Sequence, residues 1–269
     1  LFSKPMSPLT VVVISLVVIV LTIYISFYLL QDYMIFRSEA LHADHAFSFH
    51  ATFEELNFDV GNNVRINAVK FIAPNRKGLL IYHHGNAGNI QMWGQRAHYF
   101  TEFGYDVLLY DYRGYGKSTG KIRHEKTLYE DAEFIYHQVK ESYKDQQMVF
   151  YGISLGSGTA AYLAQKFNPT YLILETPYYS FLDVVKFHYP YLPARLISKY
   201  RFKTYKFLTN VASETVLIHG DMDNIIPVES SEKLAQLHEH VTFYKIKGGA
   251  HNNLADFVEY EEILKKVLH

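Results

Sequence analysis

The longest apolar stretch lies near the start of the chain, where Leu9 to Leu30 carries no charged side chain and is dominated by Val, Ile and Leu. At 1.5 Å per residue a helix over this run spans about 33 Å, enough to cross the hydrocarbon core of a bilayer. A cleaved signal peptide has a shorter apolar region and a small-residue cleavage site. Here Gln31-Asp32-Tyr33-Met34-Ile35 follows instead, with no A-x-A pattern. A buried core helix this apolar at a chain terminus is uncommon, so the run predicts an uncleaved, single-pass membrane anchor over residues 1–30. Tyr24, Tyr28 and Tyr33 fit an aromatic belt at its far end. Lys4 and the terminal amine favour an N-terminus inside and a domain on the non-cytoplasmic side, while Arg37 pulls the other way. The chain begins with Leu rather than Met, which leaves room for an upstream start with further charges.

After a connecting segment at 31–52 the pattern changes. Phe53 to Val60 and Val64 to Ala73 read as two strands around the turn Gly61-Asn62-Asn63. Short apolar runs at Leu79–His83, Tyr105–Tyr110, Met148–Tyr151, Tyr171–Leu174, Val216–Gly220 and Val241–Ile246 have the look of buried parallel strands. Helical patterns at Gln91–Phe103, Thr127–Tyr143 and Thr159–Phe167 fall between them, the first closed by Gly104. This alternation predicts an α/β fold over residues 53–269, with a mostly parallel sheet of about eight strands and helices on both faces. Tyr178 to Thr209 breaks the rhythm and is expected to form a small cap insertion. Lys199, Arg201, Lys203 and Lys206 make it basic, and Phe181, Phe187, Tyr189 and Tyr191 are interleaved with the charges. An ordinary solvated cap is one reading of that pattern. A surface that meets anionic headgroups is the other.

Composition adds little except exclusions. A net charge of −1 gives no support for a nucleic-acid partner. The absence of cysteine removes disulfides, a thiol nucleophile and thiolate metal sites. His42, His45 and His50 are expected to be solvated, and neither His83-His84 nor Asp221-x-Asp223 has a third ligand at useful spacing.

The chemistry is carried by Gly152-Ile153-Ser154-Leu155-Gly156, a G-x-S-x-G between a strand pattern and a helix pattern. A sharp strand-to-helix turn exposes a serine hydroxyl and aims backbone N–H groups at a nearby oxyanion. Asp221-Met222-Asp223 follows a later strand, and Gly248-Gly249-Ala250-His251 follows the last. The order Ser, Asp, His, each just past the C-terminal end of a strand, puts all three at the sheet edge where open α/β sheets bind ligands.

With His84-Gly85-Asn86-Ala87-Gly88-Asn89, Asp111-Tyr112-Arg113-Gly114-Tyr115-Gly116-Lys117-Ser118 and His219-Gly220-Asp221-Met222-Asp223, the chain resembles the α/β-hydrolases. Within them it is similar to the membrane-anchored serine hydrolases with an H-G-N-A-G-N loop, from about Phe53 to the end. The resemblance implies Ser154 as nucleophile, His251 as base and Asp223 as the orienting acid; Asp221 beside it is the nearest rival, and Glu175 at a strand end is a second that the resemblance does not favour. It implies an oxyanion hole from the Leu155 N–H and an N–H of the Asn86-Ala87 loop, Asn86 being preferred over Ala87. His84, Asp111 and Arg113 are expected to brace loops. No cofactor or metal is needed. The expected activity is cleavage of carboxylic esters or thioesters, acyl lipids among them. A peptidase and a non-catalytic binding protein are the alternatives.

Overall fold

The short apolar runs become strands because β-branched and aromatic side chains pack well on a pleated surface. The computed structural model describes residues 6–144 and 146–269; Lys4, which bears on orientation, lies outside them. A central sheet contains β2 (Phe53–Asp59), β3 (Arg65–Phe71), β4 (Gly78–His83), β6 (Tyr105–Tyr110), β7 (Gln147–Ile153), β8 (Tyr171–Glu175), β9 (Glu214–Gly220) and β10 (Val241–Ile246). Two short strands, β1 (Arg37–Ser38) and β5 (Ala87–Gly88), pair with each other in parallel outside it. The sheet order is β2-β3-β6-β4-β7-β8-β9-β10, and only β3 runs antiparallel to its neighbours. β4 and β6 are buried along their whole length, as strands covered on both faces must be.

Helices α3 (Glu125–Val139), α4 (Leu155–Phe167) and α8 (Glu229–Ala235) contribute to an apolar cluster on one face. Helices α2 (Ile90–Ala97) and α9 (Val258–Leu268) contribute to the cluster on the other. The helix expected at Gln91–Phe103 is α2 followed by a 3₁₀ turn, His98–Phe103, and Gly104 closes it at φ +81°. α3 likewise tightens into a 3₁₀ turn at Lys140–Tyr143. Connections from β4 diverge, to β6 on one side and then β7 on the other, so the loops after β4 and β7 flank the topological switch point.

α1 (Pro8–Ile35) is long and apolar enough to cross a membrane. It starts at a Ser7 cap whose side chain accepts from the Thr10 N–H. No residue of its most apolar stretch is buried by the rest of the chain, unlike a core helix. The helix continues five residues past 30, where Gln31 and Asp32 find partners in the insertion at 178–209. That insertion consists of α5 (Phe181–His188), α6 (Ala194–Ile197) and α7 (Thr204–Leu208).

Candidate active site

β7 delivers Ser154 into a backbone conformation that side chains rarely adopt, at φ 51° and ψ −116°. Packing enforces the turn. A Cβ on Gly152 would lie 2.6 Å from the Gly156 carbonyl oxygen, and one on Gly156 would lie 2.1 Å from that of His83. Such strain persists only where the surroundings over-determine it. α4 begins at Leu155, so the Leu155 N–H belongs to the first helical turn, whose donors have no partner within the helix.

His251, in the loop after β10, places Nε2 at 3.0 Å from Ser154 Oγ and Nδ1 at 2.7 Å from Asp223 Oδ2. A proton on Nδ1 is held by the carboxylate, which leaves Nε2 free to accept from the serine. Asp223 follows β9, and its Oδ1 accepts from the N–H groups of Ile225 and Ile226 at 2.8 and 2.9 Å. Burial opposes the Asp223 charge. Hydrogen bonds from His219, His251 and the Ile226 N–H overcome it and hold the carboxyl well below the usual carboxylate range. All three side chains are nearly buried.

The rival acids lie elsewhere. Asp221 accepts from the Gly248 N–H at 2.6 Å and shapes the turn beside β10. Glu175 is fully buried, paired with Arg96 at 2.5 Å and bonded by Tyr260 at 2.8 Å. His219, a strand residue that also opens the motif running to Asp223, has no chemical role assigned by sequence, yet its Nε2 lies 3.0 Å from Asp223 Oδ2 while Nδ1 accepts from Ser231 Oγ at 2.7 Å. The H-G-x-x-D spacing of His219 and Asp223 was the available signal.

Asn86 follows β4, and its side chain lies with Ser154 and Leu155 on the wall of one cavity of about 210 Å³. Its carbonyl accepts from Tyr115 Oη at 2.8 Å and from the Arg37 N–H at 2.9 Å. The Ala87 carbonyl accepts from Trp93 Nε1 at 2.8 Å. His84 is buried against Tyr112, whose hydroxyl donates to the His84 carbonyl at 2.7 Å. Burial pushes the His84 imidazole down to about 4, against a hydrogen bond to the Gly85 carbonyl. Burial pushes the Asp111 carboxyl up to about 8, against the Ile90 N–H that it accepts at 2.9 Å. Both shifts favour the neutral forms of the two groups, which approach to 3.6 Å. Arg113 forms a two-pronged pair with Asp131 at 2.7 and 2.6 Å. These side chains brace loops, and none lines the cavity beside Ser154.

The linker histidines are separate: His42 meets Asp44, and His45 lies 3.3 Å from Gln91 Oε1. Among the described residues no group of three metal-ligating side chains forms. Of the four cap cations, read either as solvated or as lipid-facing, Lys199 pairs with α1, its Nζ 2.7 Å from Asp32. Its acid partner sits on the helix end that the sequence pattern treated as linker.

A family profile described as alpha/beta hydrolase fold matches residues 78–172, the segment from β4 into β8. An uncharacterized protein of Acanthamoeba polyphaga mimivirus is 31% identical over 216 residues, covering 71% of this chain and 73% of its own length. The chain belongs to the α/β-hydrolase superfamily. Lysophosphatidylserine lipase ABHD12 of Danio rerio is 28% identical to this α/β hydrolase over 183 residues, 59% of this chain and 47% of the lipase. The chain spans 61% of the length of the mycobacterial relatives it matches. The solved Pyrococcus furiosus esterase Pf2001 shares the fold with a TM-score of 0.69 at 17% identity, over 87% of this chain and 98% of that one. A lipase is thus among the sequence relatives of this α/β hydrolase, and an esterase among the proteins that share its fold.

Proposed function

We propose that this chain is a membrane-anchored serine hydrolase that cleaves acyl esters or thioesters through an acyl-enzyme on Ser154. The observation that carries the reading is the continuous hydrogen-bonded line from Ser154 Oγ through His251 to Asp223, with the serine on a strained turn.

Ser154 Oγ adds to the acyl carbonyl while its proton passes to His251 Nε2. The carbonyl oxygen becomes an anion between the N–H groups of Leu155 and Asn86, each such donor being worth roughly 3–4 kcal/mol of barrier. Collapse breaks the carbonyl–oxygen or carbonyl–sulfur bond, and the leaving alkoxide or thiolate takes the proton from His251. Water then adds to the acyl-enzyme with His251 as base, the acid is released and Ser154 regains its proton. Asp223 stays ionised throughout and stabilises the transient imidazolium. α1 serves as the anchor, and the domain lies on the non-cytoplasmic side. Arg201, Lys203 and Lys206 of the cap are the cations left to face anionic headgroups.

The test is hydrolysis of a chain-length series of p-nitrophenyl esters by the full chain in detergent, with fluorophosphonate labelling alongside. Ser154→Ala is expected to lower turnover by on the order of a million-fold and to abolish labelling. Unchanged turnover in a folded Ser154→Ala protein would reject the reading.

A further inference from the structure

The cavity beside Ser154 is walled partly by the end of the apolar helix. Met34 and Ile35 of α1 line it together with Phe181, Val185 and Tyr189 of the cap. The same five residues line a second, smaller cavity of about 80 Å³, which continues down α1 to Gln31 and Phe27. The two spaces therefore adjoin, sharing these five side chains, and together they mark out the line of a passage between α1 and α5. Phe27, Gln31, Met34 and Ile35 are spaced i, i+4, i+7, i+8, so they present a single stripe of the helix to it. From Phe27 to Ile35 the helix rises about 12 Å.

The lower end of this passage reaches the level of the bilayer. Phe27 belongs to the uncharged run and meets Tyr189 edge to face with ring centroids 5.8 Å apart. Tyr24, three residues deeper, donates to the Leu196 carbonyl of the cap at 2.9 Å. The cap thus descends alongside α1 to about 9 Å below Leu30. Leu196 itself is 69% exposed there, and Tyr191, two residues past the Tyr189 that meets Phe27, is 97% exposed, apolar surface that water would disfavour. Such surface fits the headgroup and upper acyl region of a membrane. The reactive end is polar, and the walls between are almost entirely hydrocarbon.

We infer that this passage takes the hydrocarbon chain of a bilayer-resident acyl ester, with Met34 and Val185 as chain-length-determining residues. The chain keeps its tail toward the membrane while the carbonyl rises to Ser154 Oγ. The anchor is then one wall of the acyl site, and the leaving group lies outside the passage. The inference rests on the serine-hydrolase reading for its chemistry, but occupancy of the passage does not depend on turnover. A long acyl chain on a glycerolipid and one on a protein side chain share this chemistry.

The experiment uses the full chain in nanodiscs. Met34→Trp and, from the opposite wall, Val185→Trp narrow the passage without touching the Ser154–His251–Asp223 line. Each is expected to lower kcat/KM for a hexadecanoyl p-nitrophenyl ester by about tenfold or more. Butanoyl ester hydrolysis should fall much less, so that the hexadecanoyl-to-butanoyl ratio of kcat/KM drops by about tenfold, and persistent fluorophosphonate labelling shows that the variants are folded. Hexadecanoylglycerol and an S-hexadecanoyl peptide, presented in the same discs, should lose activity in parallel if the passage reads the chain. Loss on one alone would place the discrimination at the leaving group and overturn the inference, as would equal loss on short and long esters.

A second arm needs no catalysis. In Ser154→Ala, a hexadecyl ether lipid carrying a mid-chain diazirine should cross-link to the cap between Phe181 and Tyr189, and Met34→Trp should suppress this. Cross-links confined to the bilayer-facing residues of α1 would overturn the passage whatever the esterase assays gave. Ester hydrolysis persisting in Ser154→Ala would instead count against the serine mechanism alone.

Discussion

The side-chain amide of Asn86 donates to the main-chain carbonyl of Ile35, the last residue of α1, at 3.0 Å. The loop proposed to supply an oxyanion donor is thereby tied to the end of the apolar helix. β1 strengthens the tie, because the Arg37 N–H donates to the Asn86 carbonyl at 2.9 Å.

Asn86→Ala cuts the side-chain tie but keeps the main-chain N–H. Turnover should therefore fall, with KM little changed, by less than the roughly 10²–10³-fold that follows loss of a whole oxyanion donor. Steady-state kinetics on a short p-nitrophenyl ester measures this. An unchanged kcat would mean that the tie does not position the loop.

Asp223→Asn should lower kcat by about 10⁴-fold, since an amide stabilises the wrong imidazole tautomer and cannot balance an imidazolium. It also predicts a pH signature. A carboxyl held low in the folded state stabilises the fold above its unfolded value near 4, and that contribution disappears as pH falls through the lower folded value. The gap in Tm between parent and variant should thus be widest near neutrality and shrink on acidification. A gap that grew below about pH 4 would contradict the assignment.

His219→Ala removes one of the two imidazole donors on Asp223 Oδ2 and strands the Ser231 hydroxyl. A hydrogen bond to a charged acceptor is worth about 1.5–3 kcal/mol, so chemical denaturation should show at least that loss. His219→Asn, able to donate, should recover part of it.

Asp111→Asn bears on the opposite sign. Burial raises the Asp111 carboxyl to about 8, so this group favours the fold most below its ordinary value near 4 and loses that contribution as pH climbs through the folded value. The amide variant escapes the loss. Its Tm relative to the parent should climb between about pH 4 and 8 and level off above, with esterase activity retained.

Two contacts between α1 and the cap should differ sharply in weight. The Lys199–Asp32 pair is partly exposed, so Lys199→Ala should cost no more than about 1 kcal/mol. Gln31 is nearly buried and clamps the cap backbone from both ends, donating to the Ile197 carbonyl at 2.6 Å and accepting from the Lys199 N–H at 2.7 Å. Gln31→Ala leaves two backbone groups unpaired at about 1–3 kcal/mol each. Limited proteolysis of the cap around 189–203 should accelerate in Gln31→Ala and hardly change in Lys199→Ala.

Local pattern carried the strands and helices, because the switch from apolar runs to helical periodicity is written in consecutive residues. It also put Ser154, Asp223 and His251 at strand ends, since each turn announces itself with glycine or an acidic pair. Local pattern did not carry what joins residues far apart in the chain. Gln31 looks like the polar end of a membrane span, and nothing near it signals a bond to Ile197, 166 residues away. Met34 and Ile35 look like spillover of the same span, although they line the space beside Ser154. The role of His219 was hidden because an apolar strand around it makes burial the default reading. Lys199 looked like any cap cation until Asp32 stood opposite it.

The pairing of β1 with β5 means that the same few residues connect the helix to the globular part and hold the catalytic rim in shape. A protease that cut just after Ser38 would therefore release the domain and remove both ties from the Asn86 loop in the same event, whereas a cut within the span before Gln31 would leave both ties on the released piece.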